Sequence, residues 1–224
     1  MDRVADDKQI VTVDVVLLTL HQGRLAAGLI HRENPPFEGR LALIGGYVRA
    51  GEDDNADATA TRVLLEKTGL GGFFLEQLGT FSGRDRDPRG WSASIAYLAL
   101  TPHARLAEPL AADDRLKLLP VDDIADLPFD HGRIVAAAIE RLRGKGAYST
   151  LPARLIAEPF TLSELQKVYE VSLGVDRLDK SSFRRKLNEL DLVDEVAGRR
   201  TDTGGRQAHL YRLKPGALVF DRRI

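Results

Sequence analysis

The 224-residue sequence predicts an α/β domain, in which helices flank a mixed β-sheet, followed by a smaller domain of two helices and a hairpin. Two observations lead to this prediction. Strand-like segments are interspersed with only two good helices before residue 143, and the pattern changes after the stretch RGKGAYSTLP (143–152). Because this stretch has the Gly, Ser, Thr and Pro content of a linker, we expect domains at residues 1–147 and 148–224.

Strand signals dominate the first domain. Runs of β-branched and apolar residues predict five strands, and the first two, separated by the short break HQG (21–23), are expected to form a hairpin. The third run ends on paired glycines, and the last two flank the polar loop GRDRDPRG (83–90). The predicted strands cover residues 10–20, 24–32, 41–46, 73–82 and 91–101.

Two helices complete the first domain. Apolar residues recur at helical spacing within residues 57–67, and Gly69 stands where a helix C-cap is expected. Residues 131–144 have an amphipathic pattern that ends at Gly144 and Gly146. We therefore expect a sheet with helices on both faces.

The second domain begins with a clear helix signal. Thr161 and Glu164 form a capping box, in which hydroxyl and carboxylate each accept a hydrogen bond from an otherwise unpaired backbone N–H. After a turn that contains glycine, Asp179 is a plausible N-cap for a helix whose apolar stripe is Phe183, Leu187 and Leu190. Two strand-like runs around the polar tip TDTGGR (201–206) then predict a hairpin.

Helix, short turn, helix and hairpin form the layout of a winged helix-turn-helix domain. In that layout the second helix enters the major groove of DNA and the hairpin lies against the backbone. Residues 151–224 carry 14 Lys and Arg against 11 Asp and Glu, whereas residues 1–150 carry 18 against 22, so the second domain is the one suited to phosphates. The candidate DNA-binding residues are Lys180, Ser181, Ser182, Arg184, Arg185, Asn188, Arg199, Arg200 and Arg206.

These residue types suit base and phosphate contacts. Arginine can bond a guanine edge with two hydrogen bonds, Asn188 can pair with adenine, and Lys180 and Ser181 can reach phosphates. The alternative is that the basic run is an ordinary solvated helix face. We favour DNA binding because basic residues stand on both the helix and the hairpin tip.

Composition excludes several classes of protein. The chain has no cysteine, which rules out disulfides and cysteine-ligated metal sites. No apolar run approaches the roughly 20 residues that a membrane-spanning helix needs. The polar, acidic start has no signal-peptide pattern, and we expect a cytoplasmic protein with no membrane partner.

The stretch from Gly46 to Leu70 resembles the Nudix box, the loop–helix motif of hydrolases that cut nucleoside diphosphates linked to another group. The family pattern is G-x5-E-x7-R-E-U-x-E-E-x-G-U, with U an aliphatic residue. The matching positions are Gly46, Glu52, Arg62, Leu64, Glu66, Gly69 and Leu70. The sequence departs from the pattern in a gap of nine residues before Arg62 and in Val63 and Lys67, which occupy two acidic positions.

These departures bear on the chemistry that the resemblance implies. In the family the helix carboxylates converge on Mg²⁺ ions, which bind the diphosphate and activate water. Valine offers no ligand, and the Lys67 ammonium would repel a neighbouring cation while attracting a diphosphate. Our hypothesis is that Lys67 replaces part of the missing metal charge, so that a nucleotide diphosphate is held without being cut. An ordinary surface pair of Arg62 and Glu66 is the alternative.

The expected effector-binding residues come from the motif and from the 83–90 loop. Three arginines of that loop can clamp phosphates, or can pair with the intervening aspartates at a solvated hairpin tip. Trp91 can stack on a ligand or pack in the core. The candidates are Arg49, Glu52, Arg62, Glu66, Lys67, Arg84, Arg86 and Arg89.

A degenerate Nudix domain followed by a winged helix is similar to the NrtR family of Nudix-related transcriptional regulators. The resemblance covers nearly the whole chain, including LALIGGYVRAGE (41–52), RDPRGW (86–91) and FRRKLNEL (183–190). It implies a homodimer that represses genes of NAD biosynthesis or salvage, with ADP-ribose as the effector that releases operator DNA and no required cofactor. The alternatives are an active Nudix hydrolase, such as an ADP-ribose pyrophosphatase, and a DNA-binding protein whose first domain only dimerises.

Overall fold

The computed structural model describes residues 9–201 and 207–216. Within these ranges, six strands form one sheet and two form a second. Numbered in chain order, the strands are β1 (Ile10–His21), β2 (Arg24–His31), β3 (Leu41–Tyr47), β4 (Phe74–Gly83), β5 (Ser92–Leu100), β6 (Leu116–Pro120), β7 (Val193–Thr201) and β8 (Gln207–Leu213). The α-helices are α1 (Ala56–Thr68), α2 (Ala107–Ala112), α3 (His131–Gly146), α4 (Leu162–Leu173) and α5 (Lys180–Glu189).

The large sheet is mixed and is covered on both faces. Its order is β4-β5-β1-β3-β2-β6, with β1 parallel to β5 and the other pairs antiparallel. Alternate residues of β1 enter two separate cores, as the period of a strand requires. Val15 and Leu17 pack with α1, and Val16 and Leu18 pack with α3. The predicted α/β/α sandwich with a mixed sheet is therefore confirmed.

The helix signals in the sequence correspond to real caps. Asn55 accepts a hydrogen bond from the Ala58 N–H at the start of α1, and the N–H of Gly69 bonds the carbonyl of Leu65 at its end. Gly69 has φ of 70°, a backbone conformation that glycine adopts without strain. The helix therefore stops where the sequence predicts.

The structure adds elements that the sequence analysis did not predict. Helix α2 is six residues long, and β6 is a five-residue edge strand that ends at Pro120. Neither is long enough to show a clear period, and proline is typical of edge strands. Helix α3 continues through Gly144 to Gly146, where a Cβ would lie 3.0 Å from the Pro152 ring, so the glycine permits close packing of the next segment.

The segment that follows α3 is packed rather than exposed. Ser149, Thr150, Leu151 and Pro152 are all buried, and the hydroxyl of Tyr169 in α4 donates a 2.9 Å hydrogen bond to the carbonyl of Ser149. Apolar side chains from α3, from the following 3-10 turn and from α4 belong to one core cluster; they include Leu142, Leu151, Leu155 and Val168. The small residues that suggested a linker thus allow the two parts of the chain to share a core.

The second part of the chain has the winged helix-turn-helix layout that the sequence predicts. Both hydrogen bonds of the capping box at Thr161 and Glu164 are present, and Asp179 accepts from the N–H of Ser182. Phe183 and Leu187 are fully covered in a core that also includes Phe160, Leu165 and Tyr169. The strands β7 and β8 form the wing. Within the described residues, no helix is long and apolar enough to cross a membrane.

Candidate functional site

A cleft of about 440 Å³ opens at the end of β3, beside the exposed face of α1. The Gly45–Gly46 pair forms part of its wall, and close packing requires both glycines. A Cβ on Gly45 would lie 2.3 Å from Oδ1 of Asp14, and one on Gly46 would lie 3.0 Å from the Val63 side chain. The charged and aromatic lining residues include Arg32, Glu33, Tyr47, Arg49, Arg62, Glu66, Lys67 and Arg89.

A smaller cavity of about 100 Å³ continues the cleft towards the interior. It shares Arg32, Tyr47 and Arg89 with the larger one and adds Asp14 and Phe129. The guanidinium of Arg32 lies 4.8 Å from the centre of the Phe129 ring, and that of Arg89 lies beside the rings of both Tyr47 and Phe129. The site therefore has a charged outer part and an inner part where arginines face aromatic rings.

Arg62 anchors the motif loop to α1. It donates 2.7 Å hydrogen bonds to both carboxylate oxygens of Asp53 and a third to the carbonyl of Tyr47. The Asp53 side chain is only 3% exposed, and the Arg62 guanidinium holds the pKa of that carboxyl well below its usual range. Asp53 is thus the acid that pairs with Arg62, whereas the sequence pattern alone aligns Glu52 with the motif glutamate.

Arg49 connects Glu52 of the motif loop to Glu66 of α1. Its Nη1 lies 3.0 Å from Oε2 of Glu52 and 2.9 Å from Oε1 of Glu66, and Nη2 lies 3.4 Å from the other oxygen of Glu66. Arg62 approaches that same oxygen at 3.3 Å. Hydrogen bonding to Glu52 raises the pKa of Arg49 further, so its charge is permanent. The carboxylates of both glutamates therefore accept hydrogen bonds from guanidinium groups.

The two departures from the motif lie at different depths. Val63 is 1% exposed and packs in the core beneath α1 with Ala60 and Leu64. Lys67 lines the cleft, and its Nζ lies 3.7 Å from a carboxylate oxygen of Glu33. The ammonium of Lys67 therefore faces the cleft but stands apart from the paired glutamates.

The residues present do not fit the Mg²⁺ that the Nudix resemblance implies. A hard divalent cation needs about six oxygen ligands, several of them supplied by carboxylates and water. In the described ranges 9–201 and 207–216, no three His, Cys, Asp or Glu side chains lie close enough together to hold a metal ion. The carboxylates of Glu52 and Glu66 already bind Arg49, and Val63 supplies no oxygen.

The three arginines of the 83–90 loop lie in different environments. Arg86 is buried, and its guanidinium bonds Asp130 and Ser92 and lies 3.6 Å from Asp14. Arg89 reaches the cleft, where it bonds Asp87 and the Tyr47 hydroxyl. Arg84 is exposed and lines a separate cavity near Phe37, and Trp91 is half-exposed rather than packed in the core.

Asp14 is an ionisable group that the sequence analysis did not single out. Burial alone would raise its pKa, but His131, a 2.6 Å hydrogen bond from Ser94 and the nearby Arg86 hold the pKa below its usual value. Asp130, which also bonds Arg86, directly precedes α3. Since Asp14 also lines the inner cavity, this buried network connects the floor of the site to the start of α3.

The predicted DNA-binding residues of α5 share one exposed face. These exposed residues are Lys180, Ser181, Ser182, Arg184, Arg185 and Asn188. Lys180 and Arg184 also line a groove of about 300 Å³ between α5, the start of α4 and β8. The backbones of Arg199 and Arg200 lie in β7 opposite His209 and Ala208, and Arg206 lies outside the described residues. The described wing also carries acids, including Glu195, which pairs with His209.

Comparison with known proteins identifies both parts of the chain. Residues 8–138 match the model of the NUDIX domain, and residues 152–213 match that of the NrtR DNA-binding winged helix domain. The chain is 39% identical over 213 residues to the ADPR responsive transcriptional repressor NtrR of Acinetobacter baylyi, covering 91% of this chain and 82% of that protein.

Two solved structures of Shewanella oneidensis NrtR are similar to the chain. In the complex with a 27mer DNA, the NrtR chain is 38% identical in sequence to this chain. The alignment covers 96% of this chain and 100% of that one, with a TM-score of 0.90. The NUDIX domain complexed with ADP ribose is 36% identical, covers 63% of this chain and 94% of that one, and gives a TM-score of 0.56. The chain therefore belongs to the NrtR family, whose members join a Nudix domain to a winged-helix DNA-binding domain.

Proposed function

We propose that this chain is a transcriptional repressor that binds operator DNA through its winged helix and releases it when ADP-ribose occupies the Nudix cleft. The observation that carries the proposal is the combination, in one polypeptide with a shared core, of an arginine-lined cleft and an exposed basic helix. The Acinetobacter relative is named as an ADPR responsive repressor, which supports the same assignment.

The cleft suits a nucleotide diphosphate on grounds of charge and shape. Arg32, Arg49, Lys67 and Arg89 line it, and guanidinium groups bind phosphate oxygens through paired hydrogen bonds. Tyr47 is the aromatic side chain at the rim that is free enough to stack on a base, since 53% of its surface is exposed. The ligand would therefore place its phosphates among the arginines and a ring against Tyr47.

Binding without cleavage follows from the same residues. Hydrolysis in Nudix enzymes uses a metal-activated water, and the carboxylates needed to hold that metal are replaced by Val63 and Lys67 or bound to Arg49. We infer that the cleft senses ADP-ribose and does not hydrolyse it. An active ADP-ribose pyrophosphatase is the competing function, and steady release of AMP from ADP-ribose by the wild-type chain would favour it.

The exposed face of α5 is the surface proposed to read DNA. Arg184 and Arg185 are placed to bond guanine edges and Asn188 to bond adenine, while Lys180 at the helix start can contact phosphate. Arg199, Arg200 and Arg206 remain proposed contacts of the wing. In a homodimer, two such helices would read a pseudo-palindrome whose half-sites are separated by roughly one helical turn, ~34–36 Å, or a multiple of it.

The family resemblance points to genes of NAD biosynthesis or salvage as the targets. An electrophoretic mobility shift with the DNA upstream of such genes tests the proposal directly. We expect a shifted band that ADP-ribose abolishes and AMP at the same concentration leaves in place. Failure of the protein to retain any duplex DNA at low salt, or a shift that ADP-ribose does not change, would rule out the proposed regulation.

Sedimentation of the free protein tests the dimer separately. A species of twice the 24.7 kDa chain mass is expected at the concentrations that give the shift. A monomer that binds operator with full affinity would contradict the proposed reading of two half-sites.

A further inference from the structure

A guanidinium group of the protein itself lies between a carboxylate of the motif loop and a carboxylate of α1. Arg49 reaches from the motif loop to α1 and places one guanidinium nitrogen within 3.0 Å of carboxylate oxygens from both Glu52 and Glu66. Glu66 is the one carboxylate that the sequence retains among the three acidic positions of the motif helix, and Glu52 is the loop glutamate that the sequence pattern aligns with the motif. Both carboxylates are thus hydrogen-bonded to a guanidinium group from within the chain.

The backbone around Arg49 holds this arrangement in place. The N–H groups of Glu52 and Asp53 both donate 2.8 Å hydrogen bonds to the carbonyl of Arg49, and the Arg49 N–H donates to the Asp53 carboxylate. Asp53 in turn is fixed by its two bonds to Arg62 of α1. The loop is therefore folded around Arg49, and the side chain crosses a short and fixed distance to Glu66.

The other basic residue near the motif does not fill this role. Lys67 lies 3.7 Å from Glu33, which also binds Arg115, so its charge is directed to the opposite side of the cleft. Arg62 contacts Glu66 through a single oxygen at 3.3 Å and is otherwise committed to Asp53. Among the described residues, only Arg49 bridges the two glutamates.

We propose that Arg49 is a built-in replacement for the divalent cation of this Nudix helix, so that the cleft binds a diphosphate without Mg²⁺ or Mn²⁺. The guanidinium satisfies the carboxylate oxygens and repels a metal ion from them, and it has further N–H donors on a side chain that lines the cleft. This inference deepens the proposed function and rests on it only for the identity of the diphosphate.

The first experiment measures Mn²⁺ binding by electron paramagnetic resonance in the absence of nucleotide. Arg49→Gln should bind Mn²⁺ at least about tenfold more tightly than the wild type, because the competing positive charge is gone. Arg49→Lys keeps the charge and should not gain this binding, and Arg49→Gln combined with Glu66→Gln should lose it. Equal Mn²⁺ affinity of the wild type and Arg49→Gln would overturn the proposal.

Arg24 offers a matched control elsewhere in the chain. It also lies between two carboxylates, those of Asp122 and Asp123, and its side chain is 45% exposed against 46% for Arg49. Arg24→Gln should leave Mn²⁺ binding at the wild-type level. A gain as large as that of Arg49→Gln would show a general effect of freeing acids and would contradict a specific role for Arg49.

A second experiment measures ADP-ribose affinity by calorimetry in EDTA and in Mg²⁺. The wild type should bind equally well in both, whereas Arg49→Gln should bind weakly in EDTA and recover when Mn²⁺ is added. An affinity of the wild type for ADP-ribose that rises about tenfold or more when Mg²⁺ replaces EDTA would overturn the proposal. The Mn²⁺ measurement contains no nucleotide, so its result does not depend on the identity of the effector. A failure of the proposed regulation would be recognised separately, because operator binding would then be unchanged by ADP-ribose.

Discussion

Because the Nudix domain and the winged helix share a core, a substitution in that core should lower the free energy of unfolding of both domains together. Leu142 lies near the end of α3, is 0% exposed, and packs in the cluster that also contains Leu151, Leu155 and Val168 of the following segments. Leu142→Ala would remove a fully buried side chain at the junction. Such substitutions in cores cost about 2–5 kcal/mol, from lost burial and the cavity left behind.

This loss converts into a measurable change in melting temperature. For a chain of this size, 1 kcal/mol corresponds to about 2–4 °C, so a loss of about 3 kcal/mol lowers Tm by about 6–12 °C. Because Leu142 belongs to a core cluster with members from both domains, calorimetry should show the two domains melting together, with the whole transition shifted. Leu65→Ala, at a leucine of α1 that is 52% exposed, is the control and should leave Tm nearly unchanged.

Two results would be incompatible with a junction that couples the two domains. Two separate transitions, of which Leu142→Ala moves only one, would mean that the domains unfold independently despite the common cluster. A shift no larger than that of Leu65→Ala would mean that the junction contributes little to stability.

Three further predictions concern DNA binding, a helix cap and pH. If Arg184 bonds a guanine, Arg184→Ala should weaken operator binding by about 1–3 kcal/mol and relax the base preference at one position, as measured by competition with base-substituted duplexes. An equal loss of affinity for all duplex sequences would indicate a phosphate contact instead. Thr161→Ala should lower stability by about 1 kcal/mol in urea melts through loss of the α4 cap, whereas an unchanged midpoint would show that the cap is dispensable. The native pKa of Asp14 is depressed, so its stabilising contribution is fully present at pH values above its usual pKa and is lost as the pH falls through the lower native pKa. Acid unfolding below about pH 4 should therefore be less steep in Asp14→Asn than in the wild type. An identical acid transition in the two proteins would show that Asp14 makes no such contribution.

The fold follows from the sequence where a strong local signal exists. The strands, α1, the capping box of Thr161 and the N-cap of Asp179 are found within a few residues of their predicted places because each depends on residues near in sequence. The compact packing of residues 143–152 depends instead on contacts with α4. Composition alone cannot separate a flexible linker from small residues that allow close packing.

The site shows the same limit more sharply. Three consecutive acids, residues 52–54, make the motif alignment ambiguous by a residue, and only the closed loop places Asp53 rather than Glu52 against Arg62. Arg86 and Arg89 stand three residues apart in one loop, yet Arg86 is buried against Asp130, which lies 44 residues away. Long-range contacts of this kind leave no mark in a short motif.

The hypothesis for Lys67 is refined by the same geometry. Its charge was predicted to replace missing metal charge, and its ammonium does line the cleft. The bridging contacts to the retained glutamates belong to Arg49, however, because the loop brings that side chain across to α1. A direct role for Lys67 in holding phosphate stays a prediction.

ADP-ribose and operator DNA are proposed to bind the same protein with opposing effects. By thermodynamic linkage, if ADP-ribose lowers the affinity for DNA by some factor, DNA must lower the affinity for ADP-ribose by the same factor. Calorimetric titration of ADP-ribose into the free protein and into its complex with a saturating operator duplex measures this factor directly. We expect ADP-ribose to bind the complex more weakly than the free protein, by the factor found in the reverse titration. Identical ADP-ribose affinities of the free protein and the complex would rule out the proposed regulation.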